Sequence, residues 1–235
     1  MKATLVRIDT VTPRMKTFWF RPDRSVQYVA GQYTQAYLPH NQPDDRGDKR
    51  WFTLSSSPTE PLLGVTTKFA PQRSSTFKRT LRALAPGVQV QLAEPMGDFV
   101  LPKDATLPLL FVAGGAGITP VRSMIKYLTD RDEKRTVHLL HGASLGEELA
   151  FRPLFEGYKS LHYRPVVKAS DQTWQGESGA LTTELILQAA GALPGGLIYL
   201  SGPEVLVEKL DKELKEAGIA PERLVTDFFH GYSDV

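Results

Sequence analysis

Cysteine is absent from the 235 residues. That excludes a disulfide framework, a cysteine nucleophile, a thiolate zinc site and any iron–sulfur cluster held by the chain itself. No apolar run approaches the ~18 residues that cross a bilayer. The opening Met1-Lys2-Ala3-Thr4-Leu5-Val6-Arg7 lacks the apolar centre of a signal peptide, so a cytoplasmic protein without membrane insertion is expected. His40, His138, His141, His162 and His230 are scattered and form no H-E-x-x-H pair, so they read as surface or packing residues and no metal site is expected. A basic stripe interleaved with aromatics, the pattern that tracks single-stranded nucleic acid, is also missing. Charge is uneven: residues 1–102 carry 14 Lys/Arg and 8 Asp/Glu, a balance of +6, against −4 over 103–235. Such a division suits an oriented partner.

Short β-rich stretches at 3–9, 15–21, 32–38, 50–54, 63–68 and 89–93 are separated by turn signals such as Thr12-Pro13, Ala30-Gly31 and Ala85-Pro86-Gly87. That spacing predicts a closed antiparallel Greek-key barrel. One helix interrupts it, with Phe77, Leu81 and Leu84 at helical spacing after the capping hydroxyls Ser74-Ser75-Thr76. From Leu107 the pattern alternates. Strands at 109–113, 137–141, 163–168, 197–200 and 224–227 are predicted between helices at 119–129, 147–155, 182–190 and 203–217. The last helix sets Leu206, Leu210, Leu214 and Ala217 on one face and stops at Gly218. This series predicts a doubly wound parallel sheet. The expected domains are a barrel over 1–102 and an α/β unit over 103–235.

Two segments carry chemistry. Arg50-Trp51-Phe52-Thr53-Leu54-Ser55-Ser56 sets a fixed cation, two aromatics and hydroxyls along one strand. Gly114-Gly115-Ala116-Gly117-Ile118-Thr119-Pro120 follows the first strand of the parallel sheet and opens a helix. Glycines let backbone approach a pyrophosphate, the helix start offers unpaired N–H groups, Pro120 loses no needed donor, and Thr119 can cap or bind phosphate. Taken singly, the first also fits an ordinary barrel strand and the second a tight turn without a ligand.

Together the two resemble motifs of the ferredoxin–NADP reductase family, in its single-chain bacterial form without an iron–sulfur domain. Arg50-Trp51-Phe52-Thr53 resembles its R-x-[YF]-[ST] flavin motif, and Ser75-Thr76-Phe77-Lys78-Arg79 resembles its second flavin motif. Gly114 to Pro120 is similar to its nicotinamide loop. Ser201-Gly202-Pro203 stands where C-G-P is usual, and Asp227-Phe228-Phe229-His230-Gly231-Tyr232 is similar to its E-x-F-x-G-Y ending. The five motifs span the chain in the family's order.

The resemblance implies FAD as cofactor and NADH or NADPH as hydride donor. It implies that Arg50 neutralises the FAD pyrophosphate, Phe52 packs on the flavin, and Thr53 hydrogen-bonds near flavin N5. Trp51, Leu54, Thr66, Thr67, Lys68, Ser74, Ser75 and Thr76 complete the implied FAD site. Gly114, Gly115, Gly117, Thr119, Pro120, Ser144, Gly202 and Pro203 are implied for the dinucleotide. Ser201 and Asp227 would line the space where the two rings meet, with Phe229 and Tyr232 at the flavin. Ser201 for Cys and Asp227 for Glu depart from the family pattern, and a competent but slower hydride step is expected. The stretch His141 to Glu148 has no Lys or Arg and two acids, which favours NADH; Arg152 or Lys168 folding back would reverse that.

The implied activity is an NAD(P)H-dependent flavoprotein oxidoreductase in electron transport, feeding a separate carrier such as ferredoxin or flavodoxin. Lys68, Arg73, Lys78, Arg79 and Arg82, with no acid between them, form a candidate docking face or a merely solvated one. Two alternatives stay open: a flavin or ferric reductase for small acceptors, and a nucleotide-binding sensor without turnover.

Overall fold

Alternation builds the first sheet of the computed structural model, which describes residues 1–70, 74–169 and 174–229. Its strands are β1 (Lys2–Thr12), β2 (Met15–Pro22), β3 (Tyr33–Tyr37), β4 (Lys49–Thr53), β5 (Leu63–Lys68) and β6 (Gln89–Leu92). They lie in the antiparallel order β4-β3-β6-β1-β2-β5. On β3, Thr34 and Ala36 are buried while Tyr33, Gln35 and Tyr37 turn outward, as a strand with one wet face requires. The two edges meet through a bridge between Leu54 and Val65, and Ser55 N donates to Gly64 O at 2.8 Å. The sheet thereby closes as a barrel. Helix α1 (Thr76–Arg82) plugs it, capped by Ser75 Oγ, which accepts from Lys78 N at 3.2 Å. Its Phe77 and Leu81 join Leu5, Phe18, Phe52 and Leu54 in one core. Burying each such side chain contributes about 1.5–3 kcal/mol.

The second sheet is parallel throughout, in the order β10-β9-β8-β7-β11-β12. Its strands are β7 (Leu109–Gly114), β8 (Val137–Ala143), β9 (Leu161–Val167), β10 (Glu177–Ser178), β11 (Leu197–Pro203) and β12 (Leu224–Phe229). The helices are α2 (Ile118–Asp130), α3 (Arg152–Gly157), α4 (Thr183–Gly191) and α5 (Glu204–Glu216). Every residue of β7 is buried, consistent with a strand covered on both faces. One face packs on α4 and α5 through Leu110, Ile186, Val207 and Leu210. The other packs on α2 and α3, and there Met15, Ala30 and Phe99 of the barrel enter the same core as Phe111 and Met124. The barrel therefore sits on the α2 side of the sheet. No helix among the described residues is long and apolar enough to cross a membrane.

One helix differs from expectation. Residues 147–155 split into a 3-10 turn at Gly146–Glu148 and α3, because Phe151 adopts a left-handed φ of 62° and Pro153 lies in the first turn of α3. The two-residue β10 is too short to leave a periodic signal. On α5 the buried stripe is Val207, Leu210 and Leu214.

Candidate cofactor crevice

The chain leaves β7 toward β8 and β9 on one side and returns to β11 and β12 on the other. The gap between β7 and β11 is thus the switch point where open parallel sheets bind ligands. Two turns meet there. A 3-10 turn at Gly115–Gly117 leads into α2, and the end of β11 presents Ser201 and Gly202. A Cβ on Gly117 would lie 2.1 Å from Ser201 O and 2.5 Å from Gly202 N, so only glycine fits. Gly115 has φ 54° and open space around its Cα, and Gly202 abuts Gly114 O. Pro120 is buried in the first turn of α2. Thr119 does not cap the helix: it is buried and its hydroxyl donates to Ala116 O at 2.9 Å. Pro203 ends β11 beside Gly114.

One row crosses the sheet at this level: Pro165, His141, Ala113, Ser201 and Asp227 in successive register. Ser201 is 2% exposed, and its Oγ has no hydrogen-bond partner of ordinary geometry. Beside it, burial pushes the Asp227 carboxyl up to about 6; the nearby Asp98 charge adds to this, and the Ser201 hydroxyl opposes it. Asp98 arrives from the barrel, one residue before Phe99, whose ring stands 5.2 Å from Tyr199 on β11. His141 is enclosed by Phe155 and Tyr163, and burial holds its imidazole neutral, down to about 3.

On the barrel side, Arg50 is already engaged. Its Nη2 meets Asp44 at 2.6 Å, and Nη1 donates to the carbonyls of Arg46, Gly47 and Lys49 at 2.9, 2.8 and 2.7 Å. Hydrogen bonds from Arg46 and Arg50 hold the Asp44 carboxyl down at about 2, against the smaller opposing effect of burial. Phe52, expected against a flavin, is only 7% exposed and lies in the barrel core. Its cross-strand partner Thr34 is an inward residue, whereas Trp51 pairs with the outward Gln35. Trp51 is accordingly the open aromatic, 53% exposed and edge-on to Tyr33 at 5.3 Å. Thr53 and Leu54 are buried. Thr66 is buried in a hydroxyl ladder, 2.7 Å from both Thr17 and Ser55. Thr67 is buried, and Lys68 faces Glu148 at 3.7 Å. Ser74 donates to Ala70 O, and Thr76 contacts His40 Nε2 at 3.2 Å.

Ser144 is exposed after β8. Arg152 pairs with Glu156 at 2.6 Å and lies over Trp174 at 5.8 Å, while Glu147 and Lys168 are exposed. Of the proposed docking cations, Lys78 and Arg79 donate to the carbonyls of Lys68 and Ser74, and Arg82 is exposed. Arg73, His230, Tyr232 and the Phe229 side chain lie outside the described residues. The residues that sequence reasoning missed are Asp98, Arg122, Glu60 and Asp44. Of these only Asp98, beside the turn at Gly97 with φ 113°, has a local signal.

Barrel, parallel sheet and switch-point loop define a ferredoxin reductase-like fold. Residues 111–212 match the model of the oxidoreductase NAD-binding domain. That match lies within the parallel-sheet unit, running from β7 into α5. It is 26% identical to the phenol hydroxylase P5 protein of Acinetobacter pittii over 243 residues, covering 99% of this chain and 66% of that one. Among solved structures, the cytochrome P450 reductase GcoB of Amycolatopsis superposes with a TM-score of 0.82 at 22% identity, covering 97% and 70% of the two chains. A ferredoxin NADP+ reductase from Neisseria gonorrhoeae with bound FAD and NADP gives 0.81 at 20% identity, covering 97% and 98%. The chain spans between 59% and 66% of the length of the curated relatives it matches first.

Proposed function

We propose that the protein is an FAD-dependent NAD(P)H oxidoreductase that passes electrons to a separate acceptor protein. The observation that carries this reading is the seating of Gly117 on Ser201–Gly202 beside Asp227, at the switch point. The buried Ser201 Oγ makes no hydrogen bond of ordinary geometry, which supports a polar ligand group there. When bound, FAD supplies the redox chemistry, accepting hydride from the nicotinamide at N5 and releasing electrons onward. The chain supplies binding and orientation. Gly115 and Gly117 would admit the dinucleotide pyrophosphate to the start of α2. Ser201 would orient the nicotinamide carboxamide, and Asp227 would hold a proton at its carboxyl near neutral pH. Arg50, once released from Asp44, would neutralise the FAD pyrophosphate. Trp51 offers the open aromatic face, with Thr53 on the same strand.

The division proposed is a barrel of 1–102 for FAD and a unit of 103–235 for the dinucleotide. Names of relatives, a phenol hydroxylase P5 protein, a cytochrome P450 reductase and a ferredoxin NADP+ reductase, support an oxygenase system or a ferredoxin as acceptor; a flavodoxin is the other carrier proposed. NADH is the donor proposed, since the stretch from His141 to Glu148 holds no Lys or Arg and Glu147 lies open near Ser144. Purified protein given FAD should turn yellow and bleach anaerobically with NADH, at a higher kcat/KM than with NADPH. Protein that takes up no FAD would overturn the reading.

A further inference from the structure

Helix α2 is clamped to the barrel by a contact that no motif announces. Arg122 forms a bidentate ion pair with Glu60: Nη2 donates to Oε1 at 2.9 Å, and Nη1 donates to Oε2. The same Nη1 donates to Ser55 O at 2.9 Å. Its guanidinium lies 5.5 Å from the Trp19 ring and 5.6 Å from the Phe151 ring. One residue on, Ser123 Oγ donates to Ser56 O at 2.5 Å, and Tyr28 donates to the same carbonyl at 3.1 Å. Glu60 Oε2 in turn accepts from Ser57 N at 2.7 Å. The ion pair is largely shielded, at 11% and 16% side-chain exposure, so salt and solvent screen it weakly. Phe151 reaches it from a left-handed backbone that costs about 1–2 kcal/mol, which the surrounding contacts must over-determine.

The position of this clamp matters more than its strength. Ser55 and Ser56 directly continue the Arg50–Thr53 strand, and Arg122 stands just over one turn after Gly117 on α2. Gly117 is itself locked on Ser201. One rigid path therefore runs from Thr53 through Ser55, Arg122 and α2 to Gly117 and Ser201. Hydride transfer depends on donor and acceptor being held to a fraction of an ångström, and a misplacement of about 1 Å can cost on the order of 10²-fold.

We infer that Arg122 is a positioning residue for hydride transfer: through Glu60 and Ser55 it fixes the nicotinamide loop at one distance from the flavin strand. This rests on the flavoenzyme reading above. The test compares Arg122→Met, Arg122→Lys and Glu60→Gln with the wild type, each loaded with FAD. In stopped flow, Arg122→Met should reduce its flavin roughly 10–100-fold more slowly, with the long-wavelength charge-transfer band lost and the dinucleotide Kd changed less than about 3-fold. Arg122→Lys, which keeps the charge and loses the fork, should recover part of the rate. In cofactor-free protein, hydrogen exchange at the Ser57 amide and along 117–121 should rise about 10-fold in Arg122→Met. If Arg122→Met does not fold, Glu60→Gln carries the same readouts. Wild-type reduction rate and an unchanged charge-transfer band in these variants, with only a lowered Tm, would make the clamp mere adhesion and overturn the inference. A wild type that NADH and NADPH both fail to bleach would sink the flavoenzyme reading instead.

Discussion

Ser201 on β11 and Asp227 on β12 stand in parallel register at the carboxyl edge of the sheet, a buried hydroxyl without an ordinary partner beside a half-buried acid. The charge of Asp98, from the barrel, raises the Asp227 carboxyl further. An acid so placed resists ionisation, and that has a measurable pH signature.

Asp227 is raised from 3.8 to about 6, so the fold binds its proton more tightly than the unfolded chain does. Its stabilising contribution is complete below about 3.8 and is lost as pH rises through about 6. Above that, the half-buried carboxylate costs roughly 1–3 kcal/mol. Asp227→Asn should therefore raise Tm at about pH 8 and leave it unchanged near pH 3.5. Asp98→Asn should lower the Asp227 midpoint, read by carboxyl carbon NMR titration. A midpoint that stays in place would show that burial alone is responsible.

Gly117→Ala should cost the dinucleotide site far more than Gly115→Ala. The added methyl at 117 meets backbone at 2.1 Å, which nothing flexible can relieve, and must part the loop from Ser201. Dinucleotide affinity should fall about 10-fold or more by calorimetry. At 115 the methyl enters open space and pays only for its positive φ, about 1 kcal/mol of stability in a thermal melt.

Asp44 holds Arg50, the cation proposed for the FAD pyrophosphate. Asp44→Asn should release Arg50 and tighten FAD binding by a few fold in a fluorescence-quench titration, most clearly at low salt. Arg50→Ala should weaken it by about 10-fold or more. An Asp44→Asn protein with weaker FAD binding would mean that the 44–50 turn organises the site rather than obstructing it.

The periodic elements were legible in the sequence. Thr34 and Ala36 alternate with outward residues, and the apolar run of β7 marks a doubly covered strand, so barrel and sheet followed from pattern alone. The loop at Gly114 to Pro120 and the residues Ser201 and Asp227 were readable because each sits in a short local motif. The inward placement of Phe52 was not legible, because motif position says nothing about register; its pairing with Thr34 turns it into the barrel core and leaves Trp51 open. Arg122 with Glu60, and Asp98 with Asp227, could not be read, since such partners meet only after both sheets have formed. The break at Phe151 needed a left-handed residue that no propensity favours.

The absence of any thiol gives the chain an experimental convenience. A sulfhydryl installed at Ser201 would be the molecule's sole target for a maleimide dye. Labelling speed would then gauge how often that corner of the crevice opens, with or without a dinucleotide shielding it.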